Sequence, residues 1–149
     1  MYTRILDTRL SSYVETDNVI SNEQVGYREG FSLTEHIFTL HSLIQRQFSN
    51  DRKLYVAFVD YKKMFDSINR EGLFKILKKI GVQGKLFNAL QSIYHNVDAC
   101  VRDGNDLSDV FNCPTGLKQG CLCSPKLCII VLNEISKALN KRSEHGIQL

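Results

Sequence analysis

The stretch that most constrains this chain runs from Leu54 to Asp66 and reads Leu-Tyr-Val-Ala-Phe-Val-Asp-Tyr-Lys-Lys-Met-Phe-Asp. Its opening, Leu54 to Val59, is apolar and rich in β-formers, with polar residues Asn50 to Lys53 before it and Asp60 after. That pattern predicts a buried strand. An acid where such a strand ends projects from the carboxyl edge of a sheet, the edge at which open α/β structures bind ligands. Asp60 is followed by Lys62, Lys63 and then Phe65. A carboxylate beside cations and an aromatic suits a Mg²⁺ ion carrying a nucleotide phosphate, because Mg²⁺ takes one or two carboxylates and fills its other positions with phosphate oxygens and water. The same acid equally suits a turn or a helix cap, so both readings stay open on this stretch alone.

A second informative stretch, Gly116-Leu-Lys-Gln-Gly-Cys-Leu-Cys-Ser-Pro125, precedes a long apolar run. Its glycines let a backbone approach a ligand closely, and the Gln119 amide can hydrogen-bond a base or sugar edge. Ser124 reads as an N-cap with Pro125 at the first helical position. The helix continues to about Leu139, and its segment Leu127 to Leu132 is apolar on every side, which predicts deep burial.

Helical spacing recurs elsewhere. Tyr2, Ile5, Leu6, Leu10, Tyr13 and Val14 mark an amphipathic helix over residues 1 to 16. Leu33, Ile37, Leu40, Ile44 and Phe48 mark another, with Ser32 and Glu35 spaced as a capping box. His36 and His41 do not share a face as metal ligands would, and read as surface residues. Leu73, Ile76, Leu77 and Ile80 end at Gly81, a suitable helix stop, and Leu86, Leu90, Ile93 and Tyr94 define the next helix. Val97 to Arg102 and Ser108 to Cys113 flank Asp103-Gly-Asn-Asp106 and read as a β-hairpin. Gly146 to Leu149 reads as the opening of a further strand. Arg28 sits between Gly26 and Gly30 and, on these residues alone, reads as a solvated loop cation.

At 149 residues the chain has the length of one domain, without internal repeats or a linker. A net charge of +3 permits a nucleic-acid partner without requiring one. The five cysteines do not fall into the paired spacing of the usual zinc sites, so no zinc is expected. No run approaches the ~18 apolar residues of a membrane span, and no signal-peptide core follows Met1. The expectation is an intracellular protein of nucleus or cytoplasm, not secreted, without membrane partners and with reduced thiols.

Three motifs carry a family resemblance. Phe58-Val-Asp-Tyr-Lys-Lys-Met-Phe-Asp66 resembles the first palm motif of reverse transcriptases, in the form used by non-LTR (LINE-type) retrotransposons. Gly116 to Pro125 resembles the following Gln-Gly-x-x-x-Ser-Pro motif, and Gln24-Val-Gly-Tyr-Arg-Glu-Gly-Phe-Ser32 resembles the upstream fingers motif Gln-x-Gly-Phe-Arg-x-Gly-x-Ser. They occur in the family's order and cover nearly the whole chain. The resemblance implies an α+β fold, the fingers and partial palm of a right-hand polymerase. Residues 1–53 would be fingers-like and 54–149 fingers and palm, incomplete because the family's aromatic-Ala-Asp-Asp motif does not occur in the sequence.

It further implies an RNA-directed DNA polymerase acting on an RNA template, a DNA primer and dNTP. Two Mg²⁺ (or Mn²⁺) ions ~4 Å apart would activate the primer hydroxyl and stabilise the leaving pyrophosphate. By resemblance Asp60 is catalytic and holds the metal ions, and the main-chain carbonyl of Tyr61 adds a ligand. Arg28 lies near the triphosphate. Phe65 acts as a steric gate under the sugar, although apart from the family it reads as a core aromatic. Gln119 and Gly120 lie beside the incoming nucleotide and template base, and Asp66 reads as a cap of the following helix. The chain departs from the family pattern at Phe31, Leu33 and Cys128-Ile129, where relatives carry Arg, Thr and Phe-Asn. With Asp60 alone assigned to the metals, the chain by itself is expected to be inactive, Glu134 being the other acid that could serve. The rival reading is a degenerate or domesticated, non-enzymatic nucleic-acid-binding remnant.

Overall fold

The computed structural model describes residues 1–140. In chain order the described elements are α1 (Tyr2–Thr16), α2 (Leu33–Ser49), α3 (Met64–Ser67), α4 (Arg70–Lys79), α5 (Gly84–Tyr94), β1 (Asp98–Ala99), β2 (Arg102–Asp103), β3 (Asp106–Leu107), β4 (Phe111–Asn112) and α6 (Cys123–Asn140). The mixed α and β content agrees with the expected class. The strand expected at 146–149 lies outside the described residues.

The core forms on α6. Leu127, Cys128, Ile129 and Ile130 of the all-round apolar segment are buried, whereas Val131 and Leu132 are half-buried. Leu6, Leu10 and Val14 of α1 pack with them, as do Leu73 and Leu77 of α4 and Phe87, Leu90 and Tyr94 of α5. Burying each such side chain contributes roughly 1.5–3 kcal/mol relative to leaving it exposed. α4 starts on Asn69, whose Oδ1 accepts from Gly72 N at 2.7 Å. It ends in a Schellman turn: Gly81 N donates to Lys78 O and Val82 N to Leu77 O, with Gly81 at φ +93°. That stop is fastened to α1, because Tyr13 Oη donates to Ile80 O at 2.7 Å.

The hairpin is present with a bulge. Asp98 pairs with Asn112 and Ala99 with Phe111, whereas Arg102 pairs with Leu107 and Asp103 with Asp106. Residues 100 and 101 therefore face three residues, 108–110, on the other arm. Ser108 serves the interruption twice, its N–H donating to Val101 O and its Oγ accepting from Val101 N, both at 2.9 Å.

Several expectations need correction. Leu54 to Val59 do not form a buried strand: Tyr55 is 88% and Phe58 85% exposed, and the segment has no regular structure. A strand needs a ladder partner, and among the described residues no backbone hydrogen bond reaches 54–62. The stripe of α2 is likewise unburied, with Leu33, Ile37 and Phe48 exposed and no contact with another described element. Ser32 is its N-cap as expected, Oγ accepting from Thr34 N at 3.1 Å, but no bond between Glu35 and Ser32 completes the capping box among the described residues. Asn69, and not Asp66, caps the helix after α3. Ser124 lies just inside α6 and uses its hydroxyl elsewhere, donating to Lys118 O at 2.7 Å and meeting Tyr94 Oη at 3.0 Å.

Asn133 shows how the core is tied to the loop after α1. It is 1% exposed; its Oδ1 accepts from Ser21 N at 2.9 Å and its Nδ2 donates to Val19 O at 3.0 Å. Asn133→Ala strips Ser21 N of its acceptor and leaves Val19 O with Lys137 Nζ as its remaining side-chain donor, at 3.0 Å, and a lost buried partner costs about 1–3 kcal/mol. Urea denaturation of Asn133→Ala is expected to show a lower midpoint with an unchanged m-value.

Candidate functional site

The Phe58–Asp66 and Gly116–Pro125 stretches meet at α3. Lys63, in the left-handed region at φ +51°, turns the chain into this short helix, which carries Phe65 and Asp66. The 116–120 turn docks on it through two backbone bonds: Leu117 N donates to Phe65 O at 2.7 Å and Gly116 N to Ile68 O at 2.9 Å. A Cβ on Gly116 would lie 2.7 Å from Asp66 O and 2.9 Å from Asp66 Cα, both backbone atoms, and φ is +81°. Only glycine fits there. Across the junction Gln119 Nε2 donates to Asp66 Oδ1 at 3.0 Å.

The turn is closed from below. Arg70 donates from Nε to Gly116 O at 2.8 Å, from Nη2 to Thr115 O at 3.0 Å and from Nη1 to Tyr94 O at 3.4 Å. Ser124 holds the Lys118 carbonyl from the α6 side. Gly120, at φ +78°, faces open space. Lys62, Lys63 and Lys118 border this junction, exposed and without an ion pair among the described residues.

Arg28 is not a solvated loop cation. It is 9% exposed. Its Nη2 pairs with Glu15 Oε2 at 2.7 Å, its Nε donates to the same carboxylate at 3.2 Å, and its Nη1 donates to the carbonyls of Ser21 and Gln24. The guanidinium also lies 3.8 Å from the centre of the Phe31 ring. Lys126, equally buried, stands 3.5 Å from Glu15 Oε1 and donates to Tyr27 O at 3.2 Å. The hydrogen bond from Arg28 is the main cause that holds the Glu15 carboxyl below its ordinary value near 4.5, against the effect of burial. A phosphate contact by Arg28 would require it to give up Glu15.

The structure thus brings Phe65, Gln119 and Gly120 to one junction, with Tyr27 edge-on to Phe65 at 6.5 Å between ring centres. Asp60 and Tyr61 lie exposed on the lead-in to α3, and no hydrogen bond or ion pair joins them to another described residue. Glu134 is engaged by Lys79 and Lys137, and the hydrogen bond from Lys79 is the first cause of its lowered pKa. The sequence reading missed Arg70 and Tyr27. Arg70 sits where a helix begins and gives no pattern signal, whereas Tyr27 lies inside a motif but is masked there by its neighbour Arg28.

The sequence profile described as "Reverse transcriptase (RNA-dependent DNA polymerase)" matches residues 1–149. The chain belongs to the reverse transcriptase family. It is 24% identical over 127 residues to the probable RNA-directed DNA polymerase from transposon BS of Drosophila melanogaster, covering 85% of this chain and 14% of that protein. It is also 24% identical over 135 residues to the retrovirus-related Pol polyprotein from type-2 retrotransposable element R2DM of Drosophila melanogaster, covering 91% of this chain and 12% of that protein. The family resemblance read from the three motifs is borne out, and the chain spans only a small part of the length of these relatives.

Reverse transcriptases as a family use divalent metals. Among the described residues of this one, no three of His, Cys, Asp and Glu cluster closely enough to hold a metal ion. Asp60 and the Tyr61 carbonyl are hard oxygen donors of the right chemistry, but two donors do not make a two-ion site, so these residues by themselves do not fit a metal pair. No described helix is long and apolar enough to cross a membrane.

Two outcomes follow from the geometry. Gly116→Ala should be destabilising by on the order of 2–3 kcal/mol, because a left-handed φ and a backbone clash must both be relieved. Chemical denaturation measures it, and a neutral result would mean that the turn does not dock on α3. Glu15→Gln should cost roughly 2–3 kcal/mol at neutral pH, less than the ~3–5 kcal/mol of a fully buried pair because Glu15 is partly exposed. Since the folded pKa of Glu15 is depressed, its contribution is complete above the unfolded value and is lost as pH falls through the folded one. The stability gap between the wild type and Glu15→Gln should therefore narrow in acid, as read from unfolding midpoints between neutral pH and about pH 3.

Proposed function

We propose that this chain is the nucleotide-binding portion, fingers and partial palm, of a retroelement RNA-directed DNA polymerase. In this reading residues 1–53 are fingers-like and 54–149 continue into the palm. The observation that carries it is the docking of the 116–120 turn on α3, which joins Gln119 to Asp66, the neighbour of Phe65, on stretches that also carry Lys62, Lys63 and Lys118, exposed and without an ion pair among the described residues. Within a reverse transcriptase, an aromatic, an amide and cations at one place suit a sugar, a base edge and a triphosphate respectively.

Each residue then has a stated task. Lys62, Lys63 and Lys118 attract the triphosphate, and Arg28 reaches it only when released from Glu15. Phe65 packs under the sugar and excludes a 2′-hydroxyl. Gln119 spends its Nε2 on Asp66, which orients the amide and leaves its Oε1 for the nucleotide or template base; Gly120 keeps the approach open. Asp60, with the Tyr61 carbonyl, is the donor that this chain contributes to the divalent metal pair of nucleotidyl transfer. The partners are an RNA template, a DNA primer and dNTP, and the compartment is intracellular.

The test is primer extension on an RNA template by a polymerase of full family length carrying this chain. Asp60→Ala is expected to abolish extension while leaving template–primer binding intact, and Phe65→Val to admit ribonucleotides. The 149-residue chain alone is expected to extend nothing with Mg²⁺ or Mn²⁺. A full-length enzyme that extends equally well with Asp60→Ala would overturn the assignment. Binding without extension in the unmutated full-length protein would favour the non-enzymatic remnant instead.

A further inference from the structure

Tyr27 combines three properties that packing alone does not explain. The residue is 63% exposed although it stands next to the buried Arg28. Its backbone is left-handed, at φ +57°, a conformation that bulky residues rarely adopt. Both sides of that backbone are clamped. The buried Lys126 donates to its carbonyl at 3.2 Å, and the next residue, Arg28, is locked onto Glu15 and two carbonyls. Ion-paired side chains thus hold an aromatic ring in an unfavourable backbone conformation, out in solvent. Unfavourable backbone conformations persist where the surroundings over-determine them, and they gather at binding sites.

Among the described residues the ring has one aromatic partner, Phe65, which it meets edge-on at 6.5 Å and an interplanar angle of 84°. Edge-to-face contact fixes the orientation of both rings. Charge distinguishes the two sides of the pair. On one side a cleft of about 530 Å³ is lined by Asp7, Glu15 and Glu29, with Lys126 its one cation and already paired to Glu15. On the Phe65 side, the lead-in to α3 carries Lys62 and Lys63 and the turn docked on α3 carries Lys118, all exposed and without an ion pair among the described residues. A triphosphate is repelled by the first side and attracted to the second, so a nucleotide meets the pair from the Phe65 side.

We propose that Tyr27 is a specificity-determining partner of Phe65, the two rings forming one aromatic corner in which Tyr27 holds Phe65 against the 2′ position of the incoming nucleotide. Tyr27 is a positioning residue in this arrangement. The inference rests on the proposed reading of Phe65 as the sugar gate. The ring, and not the hydroxyl, does the holding, since no hydrogen bond of Tyr27 Oη joins it to another described residue.

The experiment compares incorporation of dNTP with that of NTP by the full-length polymerase in four forms: Phe65→Val, Tyr27→Ala, Tyr27→Phe and the double variant Tyr27→Ala/Phe65→Val. Tyr27→Ala is expected to lower the preference for dNTP about threefold to tenfold, the scale of one edge-to-face contact. Tyr27→Phe should keep wild-type discrimination. In the double variant Tyr27→Ala should add less than about twofold to the effect of Phe65→Val, because the pair acts as a unit. A merely structural Tyr27 would lower total activity or the unfolding midpoint without moving the ratio, and that result overturns the proposal. If Phe65→Val relaxes discrimination while Tyr27→Ala does not, the gate reading stands and the role of Tyr27 falls. If neither variant moves the ratio, both fall.

Discussion

The contact between Gly116 and Asp66 joins parts of the chain that are far apart in sequence, and it does so with backbone against backbone. A side chain can turn away from a clash, but a carbonyl within a hydrogen-bonded turn cannot, so the approach that places a would-be Cβ 2.7 Å from Asp66 O fixes both segments. The bonds Leu117 N to Phe65 O and Gly116 N to Ile68 O are possible only at that distance. Arg70 then spends its guanidinium on the carbonyls of Tyr94, Thr115 and Gly116, which would otherwise be short of donors where α5, the segment after the hairpin and the turn converge. One cation thereby ties the fold of α4 and α5 to the shape of the candidate site.

How much of this can be read from sequence depends on the range of the interaction. The periodicities behind α1, α4, α5 and the buried segment of α6 are local, and the stop at Gly81 needs only a residue that tolerates a left-handed φ. The hairpin is legible from its Gly-Asn turn, but its bulge is not, because the extra residue shows only when the two arms are paired. Arg28 reads as a loop cation because its motif neighbours are glycines. Its burial is decided by Glu15 on another element, about which local composition says nothing. Phe87 escapes the stripe assigned to α5 for a related reason: it is buried, with Phe74 edge-on at 5.8 Å, by the way α4 crosses that helix.

Leu54 to Val59 marks the limit of pattern reading most clearly. β-propensity describes how well a side chain fits a pleated, half-buried surface, and it takes effect only where neighbouring strands supply that surface. Among the described residues none do, so Tyr55 to Val59 lie exposed, as do Leu33, Ile37 and Phe48 of the α2 stripe. Both patterns are sound statements about which faces can be buried. Neither says against what.

That difference divides the candidate site into two halves of unlike stability. Phe65, Gln119 and Gly120 stand on elements cross-linked by backbone bonds and backed by α6, so opening this half disrupts the core around Leu117, Cys123 and Ser124. Asp60 is joined to α3 only through the short lead-in of residues 61–63, and no described backbone bond holds the segment before it. Local stability follows buried apolar contacts and protected backbone hydrogen bonds, and on both measures the segment around Asp60 is the weaker. A group that only recognises a ligand tolerates such looseness better than one that must hold a reacting atom in place, which demands positioning to about 0.5 Å. In the proposed reading, recognition is therefore the part that residues 1–140 preorganise, whereas Asp60, on a segment without a described ladder partner, is the less firmly placed group.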